Sequence, residues 1–131
     1  MKLVSVYRVP EAVDILYSLL AERRPEESIS HTKLPSMADH RTFVYSHPYA
    51  VWYLIEQGHD YVGTTYLTKH DEIGIFVFKA HQRRGYGRRA VELLRQLHPG
   101  KHLWNVNPAN LPSIELVEKL GGKIIQHTYI L

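Results

Sequence analysis

Apolar side chains change their spacing several times along the chain, and each change marks an element. Leu3 to Val9 reads as a first strand. Pro10-Glu11 then opens a helix, with Pro in the first turn and an acid near the positive end of the dipole. Ala12, Val13, Leu16, Leu19 and Leu20 form its apolar face, and Arg23-Arg24-Pro25 ends it. Residues 25 to 48 carry Pro25, Pro35 and Pro48 and little periodicity, which predicts a loop-rich segment with a short helix near Met37 to Tyr45. Tyr49 to Glu56 is a strand, Gln57-Gly58-His59-Asp60 turns, and Tyr61 to Thr68 returns as the second arm of a hairpin. Lys69-His70-Asp71 turns again. In the next strand Ile73, Ile75 and Val77 alternate with Glu72, Gly74 and Phe76.

A basic loop, Gln82-Arg83-Arg84-Gly85-Tyr86-Gly87, leaves that strand. Tyr86, Ala90, Leu93, Leu94 and Leu97 then recur at helical spacing until Pro99-Gly100 stops them. His102 to Val106 predicts a short strand, and Asn107-Pro108-Ala109-Asn110 leaves it. Asn110 is placed to cap a helix whose face is Ile114, Leu116, Val117 and Leu120, closed by Gly121-Gly122. Lys123 to Leu131 predicts a last strand. This order implies a fold of the α/β (α+β) class: a mixed, mostly antiparallel sheet of about six strands, with helices on its faces. The step from the Glu72 strand through its helix to Trp104 suggests a parallel crossover, which should be right-handed.

Composition narrows this picture. A chain of 131 residues fits a single domain over 1–131 with one core. The absence of cysteine removes disulfides and thiolate chemistry. No leader pattern opens the chain, and no apolar run approaches the roughly 20 residues of a spanning helix. A soluble cytoplasmic protein is expected. Net charge is only +3, yet Arg83, Arg84, Arg88 and Arg89 fall within one short stretch. Such local charge suits a small anion better than a nucleic-acid track spread over a face. Histidine spacing gives no metal motif: His98 and His102 flank Pro99-Gly100 and so do not share a helical face. No metal is expected.

A strand feeding a Gly-containing turn into a helix N-terminus is a phosphate cradle. Loop N–H groups and the helix dipole converge on one place. The loop here, Gln82-Arg83-Arg84-Gly85-Tyr86-Gly87, matches the Gln/Arg-x-x-Gly-x-Gly/Ala signature of acetyl-CoA-dependent N-acetyltransferases. A second motif runs from Asn110 to Gly121 and ends in Lys119-Leu120-Gly121, with Gly122 where Phe is usual. On these two motifs and the element order, the chain resembles the GNAT superfamily. The resemblance implies a sheet splayed between its fourth and fifth strands, with the pantetheine arm of acetyl-CoA in the gap. Backbone groups of Phe76, Val77 and Phe78 would face the arm. Gln82, Arg83, Arg84, Gly85, Tyr86, Gly87, Arg88 and Arg89 would surround the pyrophosphate, with Tyr86 also read as helix packing. Asn107, Asn110 and Ser113 would contact the arm or the thiol end.

Amine acetylation requires removal of a proton from the ammonium, stabilisation of a developing oxyanion and acceptance of a leaving thiolate. Glu72 is the candidate base, directly or through water; the competing reading is a solvated residue at a strand start. Bare Gly74 on the same face would leave room for a substrate. The resemblance implies a Tyr acid where this chain has Val117. Ser113, Tyr129 or water could substitute. His31, His40, Tyr45, Tyr49 and Trp52 are candidates for the acceptor wall, which a second subunit could complete in a homodimer; a monomer is equally open. The expected activity is acetyl transfer to a primary amine, on a small molecule or a protein, within a ternary complex. An acyl-CoA-binding sensor and a nucleic-acid-binding protein are the alternatives.

Overall fold

The computed structural model describes residues 1–23 and 33–131. Four strands form one antiparallel sheet in the order β1 (Lys2–Ser5), β2 (Val51–Gln57), β3 (Asp60–Leu67) and β4 (Ile73–Val77). Helices α1 (Ala12–Glu22) and α2 (Met37–Tyr45) precede the hairpin, and α3 (Tyr86–Leu97) and α4 (Leu111–Lys119) follow β4. α2 occupies the stretch where the short helix was predicted. Ser36 caps it by accepting from the Asp39 N–H at 3.1 Å.

Alternation along the strands sorts the core onto two faces. Trp52 and Leu54 pack with Val13, Leu16 and Leu19 of α1 and with Phe76. Ile55 and Ile75 face the other way, towards Ala90 and Tyr86 of α3. The sheet is thus sandwiched between α1 with α2 on one side and α3 on the other. No helix among the described residues is long and apolar enough to cross a membrane.

The count of about six strands is corrected to four among the described residues. His102 to Val106 does not form a strand. It meets β4 only through a parallel bridge between Glu72 and Leu103, closed by Ile73 N–H to Leu103 O and Leu103 N–H to Asp71 O, both 2.8 Å. Lys123 to Leu131 is not a strand either, and Ile124, Ile125, Tyr129 and Ile130 stand exposed. Its sequence has strand character, but no described edge pairs with it. The first strand ends at Ser5 rather than Val9, because the Ser5 hydroxyl accepts from the Tyr7 N–H at 3.3 Å and the chain turns through a 3-10 helix, Val6–Arg8.

Gly74 also differs from its expected role. It lies opposite Tyr66 in the β3–β4 ladder, and a Cβ on it would fall inside the Tyr66 ring. The space beside Glu72 is therefore filled by an aromatic ring and is not left for a ligand. Tyr66 in turn stacks flat on Tyr49, with centroids 3.9 Å apart and planes 4° apart. Gly74→Ala must displace this stack, and we expect a loss of about 1–3 kcal/mol in chemical denaturation, typical of overpacking. Unchanged stability would contradict the packing described.

Candidate active site

β4 and the 102–106 segment touch at one bridge and then part, so the bridge is the vertex of a V. Glu72 O accepts from the Thr68 N–H and Val62 O accepts from the Phe78 N–H, so even-numbered residues of this strand spend backbone groups on β3. Ile73 bonds the other way, to Leu103. By the two-residue alternation of a strand, the backbone groups of Ile75 and Val77 point into the V. Of the three residues expected to face the arm, Val77 points its backbone into the V. Phe76 and Phe78 direct their backbone to β3, and Ile75 takes their place. The Gln82 amide donates to Val77 O at 2.9 Å and stands over the end of this open edge.

The loop after β4 delivers the chain to the N-terminus of α3 with Arg83 at φ 64° and Gly85 at φ 77°. Gly85 is the N-cap. It offers no side-chain bond to the first-turn N–H groups, and no acid lies in that turn. In α2 and α4, by contrast, Ser36 and Asn110 cap the first turn. The leading N–H groups of α3 are thus left for an external acceptor, in the field of the helix dipole. Arg83, Arg84 and Arg89 are exposed around them. Arg88 pairs with Glu92 at 3.0 Å, so part of its charge is compensated on the same helix. Gly87 is informative because nothing internal requires it. A Cβ there would only reach ordinary contact with Leu116 at 3.6 Å and Ile75 and Val77 at 3.8 Å. That position opens into the space between β4 and α4, and Tyr86 beside it packs into the core under α3.

At the vertex, the Glu72 carboxylate is held from two sides. Thr68 Oγ1 donates to Oε1 at 2.9 Å and Asn105 Nδ2 donates to Oε2. Across the V, the Asn110 side chain accepts from the Ser113 N–H, and Ser113 Oγ accepts from the Trp104 indole at 3.1 Å. The Ser113 O–H is not consumed by that bond. Asn107 accepts from the Ala109 N–H at 2.9 Å and shapes the turn into α4.

A cavity of about 380 Å³ lies between α1, α2 and the sheet, and Ile75 and Phe76 of β4 form part of its wall. Tyr49, Trp52, Tyr66 and Phe43 supply aromatic surface, with Arg23, Lys33 and Asp39 as the charged groups among the described residues. His40 is buried, and its Nε2 lies 2.9 Å from Val13 O. The carbonyl accepts, so Nε2 carries the hydrogen of this bond. Trp52 is fixed by its indole N–H to Thr64 Oγ1 at 2.9 Å. Burial first, then the adjacent Tyr66, pushes the Tyr49 hydroxyl far above its ordinary pKa. Tyr49 therefore remains a neutral donor at any physiological pH.

The model of the acetyltransferase (GNAT) family matches residues 13–122. The chain belongs to this family. No curated protein matches it in sequence. Solved structures share the fold of this GNAT chain at low identity. A domain from Methanocaldococcus jannaschii DSM 2661 is 18% identical over 92% of this chain and 87% of that one, with a TM-score of 0.77. A spermidine N-acetyltransferase SpeG chimera from Vibrio cholerae and hSSAT is 18% identical over 92% and 81%, with a TM-score of 0.71. A putative acetyltransferase from Salmonella typhimurium, solved with its cofactor acetyl-CoA, is 16% identical over 92% and 76%, with a TM-score of 0.64.

Not every predicted residue lies in this GNAT site. Tyr129 is 83% exposed in the unpaired C-terminal segment, with its ring 6.4 Å from His127. Tyr45 is 57% exposed and is not on the cavity wall. His31 lies outside the described residues. His40, Tyr49 and Trp52 line the cavity, whereas Glu72 sits at the vertex and not on that wall. Sequence reasoning missed Thr68, Asn105, Phe43, Tyr66 and Arg23. Asn105 left one signal, a polar residue inside the apolar run Leu103 to Val106. Among the described residues no three His, Asp or Glu side chains gather as a metal site.

The Tyr49 shift has a measurable consequence. Its folded pKa lies above the unfolded value of about 10, so the unfolded chain loses the proton first as pH rises. Stability is intact below pH 10 and then falls by up to about 1.4 kcal/mol per pH unit for this group. Alkaline denaturation of Tyr49→Phe should begin at higher pH than in the wild type. Superimposable alkaline limbs would contradict the assignment.

Proposed function

We propose that this chain transfers the acetyl group of acetyl-CoA to a primary amine, by direct attack within a ternary complex. The observation that carries the reading is the pairing of an uncapped, acid-free α3 N-terminus with an open β4 edge beside Gly87. The chain fits the cosubstrate on its own geometry: an anion site at one end and unpaired strand groups leading from it. N–H groups from Arg84 to Arg89 hold the pyrophosphate, and the exposed arginines add charge-assisted bonds. Gln82 yields Val77 O to the arm, while Asn110 and Ser113 face it from α4. Bound acetyl-CoA supplies an activated carbonyl and a thiolate leaving group.

The residues then divide the proton work. Glu72, fixed by Thr68 and Asn105, takes the ammonium proton directly or through water. The freed amine forms a bond to the acetyl carbon as the carbon–sulfur bond breaks, and the thiol gains a proton. The Ile75 N–H, aimed into the V, meets the oxygen that gains charge. Ser113, with its O–H unspent, relays the second proton: it gives its own to the departing thiolate, as the Tyr of other family members would, and takes back the one that the acylated nitrogen sheds. The products are an acetamide and coenzyme A. Cytoplasmic acetyl-CoA is the natural source of the acetyl group.

A second reading, an acyl-CoA sensor without turnover, is favoured by Val117, which has no proton to give. Free-thiol release from acetyl-CoA across a panel of amines decides between them. Turnover supports the enzyme. A rise in melting temperature with acetyl-CoA but no thiol release on any amine supports the sensor.

A further inference from the structure

The charged groups on the cavity wall identify the kind of amine. Five aromatic rings, Phe43, Tyr49, Trp52, Tyr66 and Phe76, make the wall predominantly apolar. A polyamine would find two cations, Arg23 and Lys33, and one carboxylate, Asp39, on the described part of that wall. The spermidine N-acetyltransferase chimera shares the fold, but this balance does not suit a polycation. Arg23 is the unusual member. Its guanidinium stands 5.1 Å over the Phe76 ring, and its Nε is buried with no hydrogen-bond partner among the described residues. A buried donor left unpaired is costly to fold stability, so a site that keeps one has a use for it. A fixed guanidinium donor, stacked on an aromatic ring, is suited to a carboxylate.

Resting on the acetyltransferase reading above, we propose that the acceptor is a primary amine bearing a carboxylate and a large apolar body, the chemistry of a free aromatic amino acid. The carboxylate meets Arg23 and the side chain enters the aromatic cavity. The amine is thereby turned to Ile75 and Phe76, the part of the wall contributed by the strand that borders the V. Size agrees: about 380 Å³ falls within the range of small-molecule pockets. Arg23 acts here as a binding and specificity residue.

The test uses the whole chain with L-phenylalanine, phenethylamine, glycine and spermidine. Two readouts are taken: the melting-temperature shift given by each amine alone, and free-thiol release with saturating acetyl-CoA. We expect L-phenylalanine to stabilise the protein and to show a KM at least tenfold below that of phenethylamine, which lacks the carboxylate, and of glycine, which lacks the body. Arg23→Gln should raise the KM for L-phenylalanine at least tenfold and that for phenethylamine by much less, with Arg23→Lys intermediate. The wild-type comparison stands even if a variant folds poorly. Phenethylamine or spermidine preferred over L-phenylalanine would overturn the proposal, as would an equal effect of Arg23→Gln on both aromatic amines. If no amine is acetylated or bound while acetyl-CoA still raises the melting temperature, this proposal fails and the cosubstrate site stands. If acetyl-CoA itself does not bind, the acetyltransferase reading fails as well.

Discussion

Glu72→Gln will slow acetyl transfer by about 10²–10⁴-fold, the usual contribution of a positioned general base, and leave acetyl-CoA affinity unchanged. The separation follows from place. Glu72 is bridged to Leu103 at the vertex of the V, whereas the proposed phosphate site is the α3 N-terminus. Gln keeps the shape and most of the local bonding. Its carbonyl oxygen can accept from one of the two donors, and its NH₂ can donate to the Thr68 hydroxyl or to a turned Asn105 amide. What it lacks is a lone pair able to take a proton. Full activity would remove Glu72 from the mechanism and turn attention to Asp39, the carboxylate on the described part of the cavity wall.

Gly87→Ala will weaken acetyl-CoA binding at least tenfold while the fold becomes slightly more stable. These opposite signs distinguish a ligand-facing glycine from a structural one. Inside a helix, Ala is favoured over Gly by about 0.5–1 kcal/mol, and the new methyl meets only ordinary contacts with Leu116, Ile75 and Val77. The same methyl occupies the gap between β4 and α4 through which the arm passes in the proposed complex. Gly74 shows the alternative case: its missing Cβ is claimed by Tyr66, so substitution there harms the fold first. Denaturation curves and titration calorimetry on both variants measure the contrast. Equal affinity of Gly87→Ala and wild type would contradict the placement of the arm.

The elements most legible in the sequence were those with local evidence. The β2–β3 hairpin has two apolar runs around a Gly-containing turn, and the β4–α3 unit changes period across a glycine pair. α2 was legible from position 37 to position 45 despite weak periodicity, helped by Ser36 at its cap. The misread parts depended on partners far along the chain. Lys123 to Leu131 has strand composition, but composition cannot supply an edge to pair with. Gly74 looked like empty space because Tyr66 reaches it only across a strand pair. Of Phe76, Val77 and Phe78, Val77 directs its backbone into the V together with Ile75, while Phe76 and Phe78 bond β3, because side-chain alternation does not reveal which neighbour a strand bonds. Thr68 and Asn105 were not singled out at all, since their role exists only once the 102–106 segment meets β4. The basic, Gly-containing turn into α3 was legible because it is carried by consecutive residues.

Melting temperature with and without acetyl-CoA, on wild type and Gly87→Ala side by side, tests the cradle assignment. At 100 times the wild-type Kd, linkage supplies about 2.7 kcal/mol, a rise on the order of 10 °C for a chain of this size. The account predicts that rise for the wild type and about half of it or less for Gly87→Ala. No rise in the wild type, or the same rise in both proteins, would contradict it.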